Sequence, residues 1–186
     1  MKVRDITAVI EAFAPLSLQE SYDNSGLIVG RPDDQVHKAL LAVDVTEEVI
    51  AEAVAEGCDM IITHHPIVFH PLKRFNSASV TERCVEEAIR RGIVLYAAHT
   101  NLDSTPQGMS WRVGEMLGLR NMEVLQATNA EGAGFGVVGD VEPSMVEEVV
   151  TDAGRIDVLV NNFGTSNPGK DLDFVNTDPQ VFLDTV

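Results

Sequence analysis

The sequence predicts an α/β fold in which a mostly parallel sheet carries helices on both faces. Short apolar runs alternate with helical segments over residues 1–117, and the links between them are short. A strand, helix, strand order with short links is typical of parallel strands joined by crossover helices. The runs at 60–63 and 93–98 are apolar almost throughout, as expected for strands that are buried on both faces.

The individual elements follow from periodicity and from the residues that begin and end helices. The first helix is predicted from Val3 to Ala14, because Pro15 ends it. Helices are also expected over 46–56, 79–91 and 108–117, and strands at 26–30, 39–43, 60–63 and 93–98. The residues predicted to face inward are Val3, Ile6, Val9, Ile10 and Phe13 on the first helix, and Val80, Cys84, Ala88 and Ile89 on the third.

The character of the chain changes after Leu125. A loop is expected at 126–133, then a glycine-punctuated strand at 134–139, a helix over 143–153 and a strand at 156–160. The polar tail that follows is predicted to contribute little core of its own.

The charge balance of the chain argues against nucleic acid and anionic membranes as partners. The 13 basic and 29 acidic residues give a formal net charge of −16, and such a surface repels polyanions. No secretory signal is visible, and no apolar stretch approaches the ~20 residues that cross a bilayer. We therefore expect a cytoplasmic protein, in which Cys58 and Cys84 are buried, reduced thiols.

Histidines stand at the ends of the two most apolar runs. His64 and His65 follow the run at 60–63, and His99 follows the run at 93–98. Ligands of open α/β sheets bind at the carboxyl ends of strands, so these imidazoles are expected to converge. Both His64 and His65 can serve one site only if the strand has ended, which Pro66 supports. A metal would satisfy imidazoles that are costly to bury alone, and the pattern predicts a metal site that activates water.

Carboxylates accompany these histidines. Asp103 lies four residues after His99 and is predicted to face the same cation, although it could instead cap the next helix. Asp44 ends the neighbouring strand and could hold a ligand imidazole, or it could simply form a turn. Mixed histidine and carboxylate ligands suit divalent zinc, iron, manganese or nickel rather than calcium.

Several other polar residues have weaker claims to a functional role. His37 is predicted to be structural, and His70 could face the site or not. The segment at 22–26 is typical of an Asx turn. Lys73 and Arg74 could meet substrate phosphates, but solvation is the simpler interpretation.

Three blocks of residues resemble the signature of the NIF-three-like proteins, which are often named GTP cyclohydrolase 1 type 2 homologues. The blocks are Asp23–Leu27, Thr63–Pro66 and His99–Asp103, and they fall in the family's order. Tyr22 stands where the family commonly has tryptophan. The resemblance covers residues 1 to about 142.

This resemblance implies a dinuclear metal centre in a fold that assembles as a homohexamer. His64, His65 and Asp103 would be metal ligands, with His99 beside the centre, and we assign His99 and Asp44 to the catalytic group. Two divalent metal ions would lower the pKa of water for attack on the guanine ring of GTP, with loss of formate.

The resemblance is incomplete after residue 142. The family's C-terminal half supplies a further histidine and a glutamate, whereas this sequence has no histidine after His99. The segment 153–164, which ends in Asn-Asn-Phe-Gly, instead resembles the central strand of short-chain dehydrogenases. We therefore interpret residues 1–142 as a NIF-three-like N-terminal half domain and residues 143–186 as a dehydrogenase-like fragment, joined in a chimera. The alternative is one diverged domain.

The leading functional hypothesis is a metal-dependent hydrolase of the GTP cyclohydrolase type, acting on a small-molecule nucleotide and impaired by the loss of C-terminal ligands. The second is a non-catalytic metal-binding or scaffold protein. An NAD(P)-dependent oxidoreductase ranks third, because the glycine-rich nucleotide loop and the Tyr-x-x-x-Lys pair of dehydrogenases are absent from the sequence.

Overall fold

The structure, a computed structural model, describes residues 1–128 and 132–140. Its helices are α1 (Val3–Phe13), α2 (Glu47–Ala55), α3 (Val80–Arg91), α4 (Thr100–Ser104) and α5 (Met109–Met116), with a 3-10 turn at Leu16–Leu18. Its strands are β1 (Gly26–Val29), β2 (Ala39–Ala42), β3 (Met60–Thr63), β4 (Val94–Ala97), β5 (Arg120–Ala127) and β6 (Gly134–Asp140). Strands and helices alternate from β2 to α4, as crossover connections require.

A four-stranded sheet in the order β1-β4-β3-β2 forms the centre of the fold. β2, β3 and β4 are parallel, with Ala39 paired to Met60 and Met60 paired to Val94. β1 is antiparallel to β4, and Gly26 lies opposite Ala97. The predicted class, an α/β fold with a mostly parallel sheet, is confirmed, and its one antiparallel strand lies at an edge.

Helices cover both faces of this sheet. Alternate residues of the central strands point to opposite sides, so each strand contributes apolar side chains to both faces. On one face, Ile61 and Leu95 pack against α2 and α3. On the other face, Met60 and Tyr96 pack against α1 through Val3. The apolar runs that contain β3 and β4 are therefore buried from both sides, as predicted.

The inward faces of α1 and α3 are narrower than periodicity predicted. Val9 and Phe13 on α1 are 68% and 52% exposed, and Val80 and Ile89 on α3 are 51% and 60% exposed. α3 buries Val85 instead, which the prediction omitted. The reason is geometric: a helix buries only the residues that lie over the sheet, and periodicity does not say how wide that stripe is.

The sequence pattern missed two elements after β4. The five-residue helix α4 begins directly after His99. The strand β5 pairs antiparallel with β6, where a loop was expected from residue 126. Within β5 only Met122 and Val124 are half-buried, so the apolar alternation that would signal a strand is weak.

The interpretation of residues 143–186 concerns a part of the chain outside the described residues. The helix over 143–153, the strand at 156–160, the domain boundary at about 142 and the dehydrogenase-like fragment stay predictions. Among the described residues, no helix is long and apolar enough to cross a membrane. Cys58 and Cys84 are both buried and form no disulfide, as predicted.

Candidate metal centre

The ends of β3 and β4 bring three histidines together at one edge of the sheet. Thr63 and Ala97 are paired at the ends of these parallel strands, and the histidines follow. One ring nitrogen from each of His64, His65 and His99 lies within 4.8 Å of the other two. The ring centres are 4.9 Å apart for His64 and His65, 5.2 Å for His64 and His99, and 5.5 Å for His65 and His99.

A turn after Thr63 lets two successive histidines face the same place. The His65 amide donates to the Val43 carbonyl at 3.0 Å, and the Thr63 hydroxyl donates to the His65 carbonyl at 2.9 Å. Because β3 has ended at Thr63, the alternation of side chains along a strand no longer applies. His64 and His65 therefore both reach the site.

Each of the three imidazoles is hydrogen-bonded through its Nδ1 to an oxygen atom of the protein. The distances are 2.9 Å from His64 to the Ala98 carbonyl, 2.7 Å from His65 to Asp44 Oδ1 and 2.8 Å from His99 to Asp23 Oδ1. Carbonyl and carboxylate oxygens accept hydrogen bonds, so Nδ1 carries the proton and donates in each pair. The free lone pair is then on Nε2, and metal-binding histidines are commonly held in this way.

Asp23 is enclosed and accepts several hydrogen bonds besides that of His99. The donors are the amides of Asn24 at 2.7 Å and Thr100 at 3.1 Å, and the hydroxyls of Ser25 and Thr100. Its side chain has no exposed surface. Burial raises the pKa of Asp23, but the hydrogen bonds favour the carboxylate more strongly and hold the pKa at about 2. Asp23 therefore stays charged and fixes the ring of His99.

Asp103 lies beside the histidines on α4. Its amide donates to the His99 carbonyl at 3.1 Å, so the spacing of four residues is one helical turn. Asp103 Oδ1 is 3.6 Å from Nε2 of His64, which is too long for a hydrogen bond but places the carboxylate beside the nitrogen that carries the free lone pair. Burial raises the pKa of Asp103, against the opposing attraction of His64 and then His99. Gly108, not Asp103, is the cap of α5, so the alternative capping role is wrong.

Asn101 ties the loop that carries His99 to the end of α1. Its Oδ1 accepts from the His99 amide at 2.9 Å, and its Nδ2 donates to the Ala14 carbonyl at 2.7 Å. The residue has no exposed surface. Asn101 therefore positions the backbone from which His99 projects.

We expect Asn101→Ala to lower the free energy of unfolding by about 1–3 kcal/mol, because it removes the partners of the buried Ala14 carbonyl and of the half-buried His99 amide. Urea denaturation measures this change. Asn76→Ala, at an exposed position, is the matched control and should change the stability by less than about 0.5 kcal/mol. Equal losses in the two variants would contradict the role of Asn101.

The other residues singled out in the sequence lie outside the histidine triplet. His70 is exposed, and its ring centre is 5.2 Å from that of Phe69. His37 bonds to Asp59 at 3.0 Å, in line with a structural role. The residues at 73–74 are exposed, as the solvated interpretation expects.

Asp23 and Thr100 are site residues that the sequence-based assignment missed. The Asx turn predicted at 22–26 is not the contact observed: Asp23 accepts from the Asn24 amide and from the Ser25 hydroxyl, whereas the Ser25 amide donates to Gln19. The same carboxylate also reaches His99, because Asp23 lies shortly before β1 and β1 pairs with β4. The position of Asp23 next to a strand was the available signal, but its use required the unpredicted antiparallel pairing.

Comparison with known proteins matches most of the chain to one family. The profile described as Duf34/NIF3 (NGG1p interacting factor 3) matches residues 1–162. The GTP cyclohydrolase 1 type 2 homolog of Clostridium acetobutylicum is 38% identical over 154 residues, covering 82% of this chain and 58% of the relative. Its counterpart in Halalkalibacterium halodurans is 39% identical over 134 residues, covering 70% of this chain and 36% of the relative. The chain thus spans about half the length of the curated relatives it matches, or less.

Solved structures show the same likeness. A Bacillus cereus protein related to NIF3 superposes with a TM-score of 0.66 at 38% identity, over 69% of this chain and 35% of that one. Reduced HcgD from Methanocaldococcus jannaschii superposes with a TM-score of 0.68 at 33% identity, over 82% of this chain and 60% of that one. The profile match also passes the predicted boundary at about 142 and ends at residue 162.

Proposed function

The chain belongs to the Duf34/NIF3 family, and from this we propose that it is a metal-dependent hydrolase. The proposed ligands are His64, His65 and Asp103, with His99 as a further ligand or as a catalytic residue beside the metal. The observation that carries the proposal is the convergence of three imidazoles whose Nδ1 atoms are all held by oxygen. When Nδ1 donates a hydrogen bond, Nε2 is unprotonated, so the three rings can offer their Nε2 lone pairs to one shared metal site.

The donor set fits divalent transition metals. Imidazole and carboxylate ligands suit zinc, iron, manganese or nickel. Zinc–nitrogen bonds of about 2.0–2.1 Å place two ligating atoms about 3–4 Å apart, so nitrogens that lie within 4.8 Å of each other need only small movements. We propose two metal ions per site, as the family resemblance implies. Four side chains would complete only part of two coordination shells, so the remaining ligands would come from elsewhere.

The bound metal ions would supply Lewis acidity and lower the pKa of water. The protein holds the imidazoles in one tautomer and orientation through Asp23 and Asp44. These two carboxylates differ in their surroundings. Asp23 is enclosed, and its pKa of about 2 keeps it from holding a proton near neutral pH. The Asp44 side chain is 59% exposed beside His65, so we assign to Asp44 the orientation of the His65 ring at the solvent-facing side of the site.

We propose a purine nucleotide as the substrate, with GTP as the first candidate because the curated relatives carry the name GTP cyclohydrolase 1 type 2 homolog. Metal-loaded protein is expected to release formate from GTP, and Asp103→Asn to release it at least about 100-fold more slowly, since the proposed ligand carboxylate is lost. Enzymatic formate detection measures both rates. Metal-loaded protein that releases no formate would remove GTP as the substrate.

A second candidate function is non-catalytic metal binding or scaffolding. It is favoured by the composition of the cluster: among the described residues, the group whose ligand atoms all lie within 4.8 Å of one another consists of the three imidazoles, and such a set can hold one metal ion without a productive geometry for turnover. Metal uptake without turnover of any nucleotide would support it.

We further propose a cytoplasmic homohexamer with no nucleic-acid partner. An NAD(P)-dependent oxidoreductase is the weakest candidate, and NADPH fluorescence on mixing tests it.

A further inference from the structure

We propose that Tyr22 and Phe69 form an aromatic platform at the mouth of the histidine cluster, and that this platform binds a planar heteroaromatic ring of the substrate. The inference rests on the proposed function, since it assigns the recognition of substrate to two residues beside the same site. Neither residue offers a metal ligand of the usual kind, so their role is separate from metal binding.

Phe69 connects the platform to the cluster. Its ring centre is 6.3 Å from that of His99 and 6.4 Å from that of Tyr22. Phe69 is 38% exposed and Tyr22 is 50% exposed. Aromatic pairs interact over centre-to-centre distances of about 4.5–7 Å. The planes of the Tyr22 and Phe69 rings are tilted by 57°, so a flat ring that stacks on one of them would meet the other with its edge. A ring stacked on Phe69 would lie next to the imidazoles.

A cavity of about 240 Å³ lies against Phe69. One wall is formed by Asp23 and Asn24, and the other by residues 68–71. Asn24 Nδ2 donates to the Val68 carbonyl at 2.6 Å, so the two walls are tied together. Among the described residues, Oδ1 of Asn24 receives no hydrogen bond, and it is therefore open to accept one from a ring N–H. The cavity thus combines an aromatic wall with a polar acceptor.

The charges around the platform favour a neutral ring over a phosphate group as its occupant. Burial raises the pKa of Tyr22, and the carboxylates of Glu20, Asp23 and Asp103 raise it further. The carboxylates therefore lie beside the phenol in the metal-free chain, and neither Tyr22 nor Phe69 supplies a cation that would hold a phosphate, whereas both offer an aromatic face to an uncharged ring. The ligand chemistry that matches is a planar heteroaromatic ring with an N–H donor, as in a nucleobase.

Titration calorimetry of the zinc-loaded full chain with guanosine and with ribose tests this proposal, because the two probes differ by the ring. We expect saturable guanosine binding and no measurable ribose binding. Phe69→Leu and Tyr22→Leu should each weaken guanosine binding about five- to tenfold, because they keep an apolar side chain but remove the stacking face. Tyr22→Trp should bind guanosine at least as tightly as the unaltered chain.

Phe75→Leu is the matched control. Phe75 lies in the same loop as Phe69, is 58% exposed and has no ring contact among the described residues, so its replacement should leave guanosine affinity unchanged. Circular dichroism checks folding, and the exposed Tyr22→Leu decides the outcome if Phe69→Leu does not fold.

The zinc content of every sample separates this inference from the proposed function. Zinc-loaded protein that does not bind guanosine, or that binds it equally well in Phe69→Leu and Tyr22→Leu, overturns the platform and leaves the metal site standing. Protein that takes up none of zinc, iron, manganese and nickel overturns the proposed function. Guanosine binding that still depends on Phe69 and Tyr22 in such protein would support the platform by itself.

Discussion

His64→Ala is expected to weaken zinc binding by more than about 100-fold. Its side chain is 19% exposed, and its Nε2 lies 3.6 Å from Asp103 Oδ1. Loss of an outer partner of a ligand alone costs about 10- to 100-fold in metal affinity, and loss of the ligand itself should cost more. Competition with a zinc-binding dye, together with metal analysis of protein purified without a tag, measures the change.

The control for this variant is His37→Ala. The His37 side chain is 80% exposed and bonds to Asp59 rather than to the cluster, so zinc affinity should be unaffected. Zinc should also raise the thermal stability of the unaltered chain and of His37→Ala, but not of His64→Ala, because a ligand stabilises only the state that binds it. Equal zinc affinity in all three proteins would refute the site.

Asp23→Asn is expected to have two effects, which arise from one buried carboxylate. Zinc affinity should fall about 10- to 100-fold, because the ring of His99 loses the charged acceptor that orients it. The free energy of unfolding near neutral pH should fall by about 1.5–3 kcal/mol, because hydrogen bonds to a charged acceptor are lost. Dye competition and urea denaturation measure the two effects separately.

The pH dependence of this loss follows from the pKa of Asp23. That pKa is lowered from 3.8 to about 2 on folding, so the ionised carboxylate stabilises the folded state. The contribution is fully present above the unfolded value and is lost as the pH falls through about 2. The stability difference between the unaltered chain and Asp23→Asn should therefore be constant above about pH 5 and shrink below pH 4.

Asp59→Asn is the matched control. Asp59 also forms a hydrogen bond with a histidine, but that histidine is His37, which is not part of the cluster. We expect zinc affinity to be unchanged in Asp59→Asn. A loss of zinc affinity equal to that of Asp23→Asn would show that the effect is not specific to the His99 partner.

Most helices and strands between residues 3 and 117 could be predicted from local signals in the sequence. These signals are the apolar runs, the helix caps and the glycine at position 92. They succeed because local periodicity and capping act within a few residues. The strand β5 was missed since most of its residues are exposed. The inward positions of Val9 and Phe13 were wrong because the width of a buried stripe depends on the partner surface.

The sequence by itself determined that imidazoles follow two buried parallel strands, and the order of parallel strands forces their ends to one edge of the sheet. It also determined the family resemblance through three short blocks that include Thr63–Pro66. The convergence of His99 with His64 and His65 was therefore predictable, and it is confirmed. Only the tertiary structure decided that Asp23 holds His99 across the β1–β4 pairing, and that Tyr22 meets Phe69. Those contacts join residues that are far apart in the chain, and strand order and direction bring them together.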